Sequence, residues 1–139
     1  MVDIKELLAY NERLRHEYFA TFTKLPWKQL AKDREASFHS MKNIFVHVLG
    51  ATDYWLDILQ EQNLHSKKDY DDYRTLEQVK AYMQQVEKRT HTYLRSLSPK
   101  KLQKTYTLKD DRGKTQTVTA EDILIHVFEE EVHHRGELN

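Results

Sequence analysis

Glu130 and His134 stand four residues apart near the end of the sequence, on a stripe that opens with Ala120, Ile123 and Val127. On a helix that spacing stacks the two side chains on one face, one turn apart. A carboxylate in an otherwise apolar stripe is costly unless it is paired or bound to a cation. Imidazole and carboxylate together suit a first-row divalent metal ion. His47 is the third candidate, set among Ile44, Ala51 and Tyr54 in an earlier apolar segment. One His from that segment and a Glu-x-x-x-His pair from the last make a two-His, one-carboxylate set with positions open to water or substrate. Plainer readings stand beside this one. His47 alone reads as a satisfied core histidine. Glu130 belongs to the run Glu129-Glu130-Glu131, whose usual meaning is a solvated face. His133 and His134 suit a helix C-terminus, where imidazolium interacts well with the dipole. Spacing by itself leaves both sets of readings open.

Other chemistries are easier to exclude. The sequence has no cysteine, which removes disulfides, thiolate ligands and a protein thiol nucleophile. It has no His-Glu-x-x-His and no Gly-x-Ser-x-Gly. Glu130-x-x-His133 and Glu131-x-x-His134 match half of a di-iron motif, but no second helix carries the other half. His126 lies one turn before Glu130. It reads as a fourth ligand, an outer group at the same site, or, more plainly, a residue packing or hydrogen-bonding to the next helix. His39 could border the same cavity. Arg135 reads as a dipole or salt-bridge residue at the helix end. Tyr54 and Trp55 read as core rather than as a substrate platform.

These residues need helices to hold them. At 139 residues the chain fits one domain, 1–139. Its Leu, Ile, Val and Phe content stands above the roughly one-fifth below which disorder becomes the default. Lys+Arg and Asp+Glu both number 22, so there is no basic face for nucleic acid. No apolar run approaches a membrane span and no leader opens the sequence, so the expectation is a cytoplasmic protein without a membrane partner. With 3 Gly and 2 Pro, phosphate loops and a turn-dense all-β fold are disfavoured. A first helix is expected over Val2 to Lys24, its stripe interrupted by Asn11 and stopped by Pro26. A polar connection follows through Trp27 and Arg34. A second helix begins near Ser37 to Ser40 and runs to Gln62, with adjacent stripes through Met41, Phe45, Val48, Thr52, Trp55, Leu59 and through Ile44, His47, Ala51, Tyr54, Ile58. Asn63 to Arg74 reads as a loop. Thr75 and Gln78 open a third helix with a capping-box pattern, and Ser98-Pro99 ends it and starts a further turn. Lys104 to Val118 reads as a short hairpin turning at Asp110 to Gly113. Thr119, Glu121 and Asp122 start a fourth helix carrying Ile123, Leu124, Val127, Phe128 and Val132. That helix reaches Asn139 without a C-cap, which suggests that the natural chain continues. The fold expected is an all-α four-helix bundle with a short β-hairpin before the last helix.

Two segments carry a family resemblance. Ser37-Phe38-His39-Ser40-Met41-Lys42-Asn43-Ile44-Phe45-Val46-His47, followed by Ala51-Thr52-Asp53-Tyr54-Trp55-Leu56, resembles the second helix of the DinB family. Ile125-His126-Val127-Phe128-Glu129-Glu130-Glu131-Val132-His133-His134-Arg135-Gly136-Glu137 resembles that family's fourth-helix signature, which ends in His-Arg-Gly-Gln or similar. The resemblance implies a DinB/YfiT-like bundle, commonly a homodimer, that binds one divalent metal ion, zinc or nickel. It places one ligand at His47 and the last at His134, which directly precedes Arg135-Gly136. The middle ligand falls on Glu130, where the family usually has His. A site of His47, Glu130 and His134 would carry one more negative charge; the alternative is a decayed site. Some relatives are thiol-dependent transferases. Without cysteine, this chain would take its thiolate from an external low-molecular-weight thiol, activated on the metal toward a small electrophile. The expected function is therefore a metal-dependent thiol S-transferase, or a hydrolase using metal-activated water, of stress or detoxification type. The alternative is a metal-free dimeric bundle with an interaction or structural role.

Overall fold

The computed structural model of the chain describes residues 3–35, 38–62 and 69–138. Helix α1 (Ile4–Phe22) starts at Asp3, whose carboxylate accepts from the Lys5 N–H. A short helix α2 (Trp27–Leu30) follows Pro26, where the sequence reads only as a connection, and its Leu30 is fully buried. Helix α3 (Met41–Gln60) is capped by the Ser40 hydroxyl, which accepts from Asn43 N–H, and it stops where Glu61 turns left-handed. The cap falls within the expected start near Ser37 to Ser40, of which Ser37 lies outside the described residues. A 3-10 turn, Tyr70–Asp72, leads to α4 (Leu76–Arg95), and both hydrogen bonds of the expected Thr75/Gln78 capping box are present. Of the expected loop, residues 63–68 lie outside the described residues. Helix α5 (Pro99–Leu102) is the further turn begun at Ser98. Strands β1 (Thr105–Lys109) and β2 (Thr115–Thr119) pair antiparallel, with Tyr106 opposite Val118, as the hairpin reading expected. Their turn uses Gly113 at φ 80°, a left-handed conformation that glycine adopts without a Cβ clash. Helix α6 (Ala120–Leu138) opens on a reciprocal cap: Thr119 Oγ1 accepts from Asp122 N–H, and Asp122 Oδ2 accepts from Thr119 N–H.

The buried side chains form two apolar clusters, one toward each end of the bundle. One holds Phe19, Phe22, Phe45, Leu49, Val79 and Val86. The other holds Ile4, Leu8, Leu56, Tyr93, Ile123 and Val127. The order in which each helix visits them gives the topology. Helices α1 and α6 run from the second cluster to the first, while α3 and α4 run from the first to the second. So α3 and α4 are parallel, and the chain must cross the length of the bundle between Glu61 and Thr75. The links α1 to α3 and α4 to α6 each begin and finish at the same end of the bundle.

Between the two clusters lies a buried polar belt. Arg15 of α1 donates to both oxygens of Glu131 on α6, at 2.6 and 3.0 Å, and to Glu87 on α4 at 2.7 Å. Burial works against the guanidinium's charge, but Glu131 and Glu87 outweigh it and hold Arg15 firmly protonated. On the far side of α4, Arg89 donates to Asp53 and Asp57 of α3 at 2.7 and 2.6 Å. Asn11, which interrupts the α1 stripe, is 1% exposed and donates to the Phe128 carbonyl. A buried polar group so paired fixes helix rotation and register, which apolar contact alone specifies less sharply.

Two expectations fail at the surface. Tyr54 is 49% exposed and Val132 42% exposed, so neither belongs to the core. Both sit at the edge of an apolar stripe. The stripes on α3 and α6 are wider than the faces that their neighbours cover. Trp55 is half-buried against the second cluster, as its reading expected. Among the described residues no helix is long and apolar enough to cross a membrane.

Two stability measurements follow. Arg15→Ala strands two buried carboxylates and should cost about 3–5 kcal/mol in denaturant unfolding; a loss below about 1 kcal/mol would mean that the belt is solvated. Burial pushes the Tyr73 and Tyr93 hydroxyls up to about 12, helped by Asp72 and Asp53 for Tyr73 and by Tyr106 for Tyr93, and it raises Tyr82 further. An unfolded phenol ionises near 10 while these keep their protons. Their stabilisation is therefore complete below pH 10 and lost as the pH rises toward 12. Tm should fall over that interval, and less steeply in Tyr93→Phe.

Candidate metal centre

Helices α3 and α6 are antiparallel, so the first half of one meets the last turns of the other. There the structure brings His47, Glu130 and His134 together, with one donor atom from each within 4.8 Å of the others, a group that could hold a metal ion. His47 Nε2 is 3.2 Å from Glu130 Oε1, and His134 Nε2 is 3.9 Å from the same oxygen. The two imidazole rings meet edge to face at 4.7 Å between centroids. Rotation of α6 explains the arrangement. In the run Glu129 to Glu131 the three carboxylates face three ways: Glu129 is exposed, Glu131 is buried on Arg15, and Glu130 is half-buried toward His47. The run is therefore not one solvated face.

His134 is buried, and its Nδ1 lies 2.7 Å from Glu137 Oε1. A carboxylate can only accept, so Nδ1 carries a proton, and in the neutral ring the lone pair is on Nε2, the side of Glu130 and His47. Carboxylate, imidazole and an outward lone pair form the outer arrangement typical of His metal ligands. On the other side, His47 Nδ1 is 3.4 Å from the Tyr70 hydroxyl. Burial lowers the His47 pKa and His134 lowers it further, against the opposing pull of Glu130. His47 is thus neutral at pH 7, with Nε2–H directed at the Glu130 carboxylate, and a metal would take the place of that proton. The donor set fits a divalent cation: two imidazole nitrogens and a carboxylate converge, and each imidazole has an oxygen partner on its far nitrogen.

Two groups at the site were not found in the sequence. Phe38 stacks on His47 with centroids 4.0 Å apart and meets His134 edge-on at 5.5 Å. Its backbone and that of His39 are both left-handed, at φ 60° and 73°. This costs roughly 1–2 kcal/mol per residue, and it is held in place by Asn43 Nδ2 and Ser40 N–H donating to the Phe38 carbonyl. Tyr70 arrives on the crossover from α3 to α4, which the parallel topology forces past this end of the bundle. Neither has a local signal beyond an aromatic in a loop.

The remaining candidates fall around the site. His126 Nε2 is 3.4 Å from Glu130 Oε2, and its ring packs edge-on against Trp55 of α3. It is both an outer partner of Glu130 and a packing residue. His39 is largely exposed and faces Asp33 at 3.5 Å, away from the cluster. His133 is exposed. Arg135 donates to Asn11 Oδ1 at 3.1 Å and lies over the Tyr10 ring, tying α6 to α1 rather than entering the site.

The Nδ1–H tautomer of His134 is open to direct test. Long-range nitrogen–proton NMR at neutral pH should show Nδ1 protonated and Nε2 bare, and Glu137→Leu should erase that preference. An Nε2–H tautomer in the parent chain would break the orientation argument.

No curated protein matches the sequence. The model of the DinB family matches residues 1–139, the whole chain, so the chain belongs to the DinB family.

Proposed function

We propose that His47, Glu130 and His134 hold one divalent metal ion, zinc or nickel, and that the protein is a metal-dependent thiol S-transferase or, in a close variant, a hydrolase. The observation that carries this is the His134–Glu137 hydrogen bond. It spends the imidazole's far nitrogen on a carboxylate and aims the near one at two other donors. Bound there by three side chains, the metal would lower the pKa of an external thiol or of water and supply a nucleophile at neutral pH.

The chain's own residues have definable parts. His47 and Glu130 are each only partly buried, so one side of the cluster is open to solvent, from which a small molecule would approach. Phe38 covers one face of His47 and keeps water from it. Glu130 offers Oε1 to the cluster while Oε2 faces His126, which fixes the carboxylate plane. Tyr70 places its hydroxyl at the edge of His47 and supports the ring's orientation. A carboxylate in place of a third imidazole adds negative charge, which should favour binding of a harder ion and make the bound nucleophile more basic. We further propose a homodimer, as the family resemblance implies, acting in the cytoplasm on a small electrophile, without nucleic-acid or membrane partners.

A second reading has its own observation. Glu130 lies within 3.4 Å of both His47 and His126, so the cluster can be satisfied by hydrogen bonds without an ion. In that reading the chain is a metal-free bundle with an interaction or structural role.

Elemental mass spectrometry on untagged protein separates the two. About one zinc or nickel per chain is expected at this site, so His47→Ala, Glu130→Ala and His134→Ala should each lower the metal content by one ion per chain. Conjugation of an electrophilic probe to a small thiol should need the metal and should fall at least tenfold in His134→Ala. A parent chain that takes up neither zinc nor nickel supports the second reading. Metal uptake with no conjugation and no hydrolysis of ester or amide probes would remove the transferase and hydrolase assignments.

A further inference from the structure

The Glu-x-x-x-His spacing recurs on the other two long helices. Glu12 and His16 lie on α1, and Glu87 and His91 lie on α4. Because α1 and α4 are antiparallel, the two pairs meet head to tail. His91 Nε2 is 2.8 Å from Glu12 Oε2, and His16 Nε2 is 2.8 and 3.0 Å from the two oxygens of Glu87. One donor atom from each of Glu12, His16 and Glu87 falls within 4.8 Å of the others. Ligands about 2.0–2.1 Å from a tetrahedral ion sit roughly 3.4 Å from one another.

Three observations set this cluster apart from ordinary surface charges. The first is charge. Arg15 spends its donors on Glu87 and Glu131, while Glu12 faces His91. Three carboxylates therefore share one guanidinium and two imidazoles. The second is that one ligand is built in. The Glu87 side chain is 8% exposed, and Arg15 holds its Oε2 at 2.7 Å, which fixes the carboxylate and leaves Oε1 facing His16. The two imidazoles are about half exposed, so an ion can enter from solvent and meet an anchored carboxylate from inside. The third is packing. A cavity of about 100 Å³ runs beside this cluster, walled by Glu12, Arg15, Glu87 and His91 together with apolar side chains. Helices α1 and α4 do not close on each other there, and a bridge across them has a gap to secure.

We infer that Glu12, His16, Glu87 and His91 form a second divalent-cation site, suited to zinc, that staples α1 to α4. Glu12, His16 and Glu87 already converge, and His91, which reaches Glu12 from outside that group, would add a fourth ligand from the protein, the mark of a structural rather than a catalytic ion. The ion would take the place of the protons in the two His–Glu hydrogen bonds and add positive charge beside Arg15. This site stands on its own residues, whether or not His47, Glu130 and His134 take a metal.

The test uses the full chain and zinc chloride alone. In the His47→Ala/His134→Ala background, equilibrium dialysis should still find one zinc per chain, and zinc should raise Tm, because an ion that binds only the folded state stabilises it. Adding His16→Ala and His91→Ala should weaken that binding by more than tenfold and abolish the Tm response. Both imidazoles are exposed, so the substitutions leave the core intact, and circular dichroism with the metal-free Tm verifies this. Glu12→Gln keeps the side chain's shape, removes its charge, and should also lose zinc. Zinc binding and Tm response unchanged by the His16/His91 substitutions would overturn the inference. So would a His47→Ala/His134→Ala protein that takes up no zinc, whatever the parent chain does.

Discussion

The rotation of α6 depends on one buried charge contact, the fork of Arg15 on Glu131. A bidentate guanidinium–carboxylate pair has a narrow geometry. With Glu131 drawn inward to α1, the next residue back is turned by about a third of a circle, roughly 100°. That turn carries Glu130 to the α3 side and leaves Glu129 in water. His134, one turn on from Glu130, follows it. Had α6 settled with Glu130 inward, His134 would face α1 and His47 would stand alone on α3. The candidate metal centre is thus set by an ion pair that touches none of its residues.

The same belt explains why a polar layer persists between two apolar clusters. An all-apolar interior would leave the four helices free to slide or rotate by a turn with little penalty. Arg15 links α1, α4 and α6, Arg89 links α4 to α3, and Asn11 receives Arg135 and gives to the Phe128 carbonyl. Every long helix is keyed to another at the same height. Parallel α3 and α4 then force the connection between them to return along the bundle, and that return delivers Tyr70 to His47. The site is completed by a consequence of topology rather than by a motif.

Much of this is legible in the residues. Thr75 and Gln78 announce a helix start because capping chemistry is local. The hairpin shows in its alternating Thr positions and its Asp-Gly turn. His47, Glu130 and His134 share faces with apolar neighbours, and periodicity exposes that. What stays hidden depends on distance along the chain. Glu131 looks like part of a solvated run until Arg15, 116 residues away, is placed against it. Tyr54 and Val132 look like core because a stripe tells which side of a helix is apolar but not how much of that side a neighbour covers. Phe38 reaches the site only through two left-handed residues, a conformation that no side-chain pattern encodes.

One spacing, Glu-x-x-x-His, therefore meets different environments in one bundle. On α6 it is half-buried, with His134 locked by Glu137 and an imidazole from α3 opposite. On α1 and α4 it meets its own kind across an antiparallel seam, with one carboxylate locked by Arg15. The four-residue spacing only stacks two donors; what decides their chemistry is the group that holds the far side of one of them. A carboxylate behind an imidazole sharpens a lone pair and leaves room for a reacting molecule. A guanidinium behind a carboxylate fixes an oxygen but weakens its charge, so more donors are needed to hold an ion. On that physical ground the α3–α6 cluster suits an open, reactive ion, and the α1–α4 cluster suits a closed, structural one.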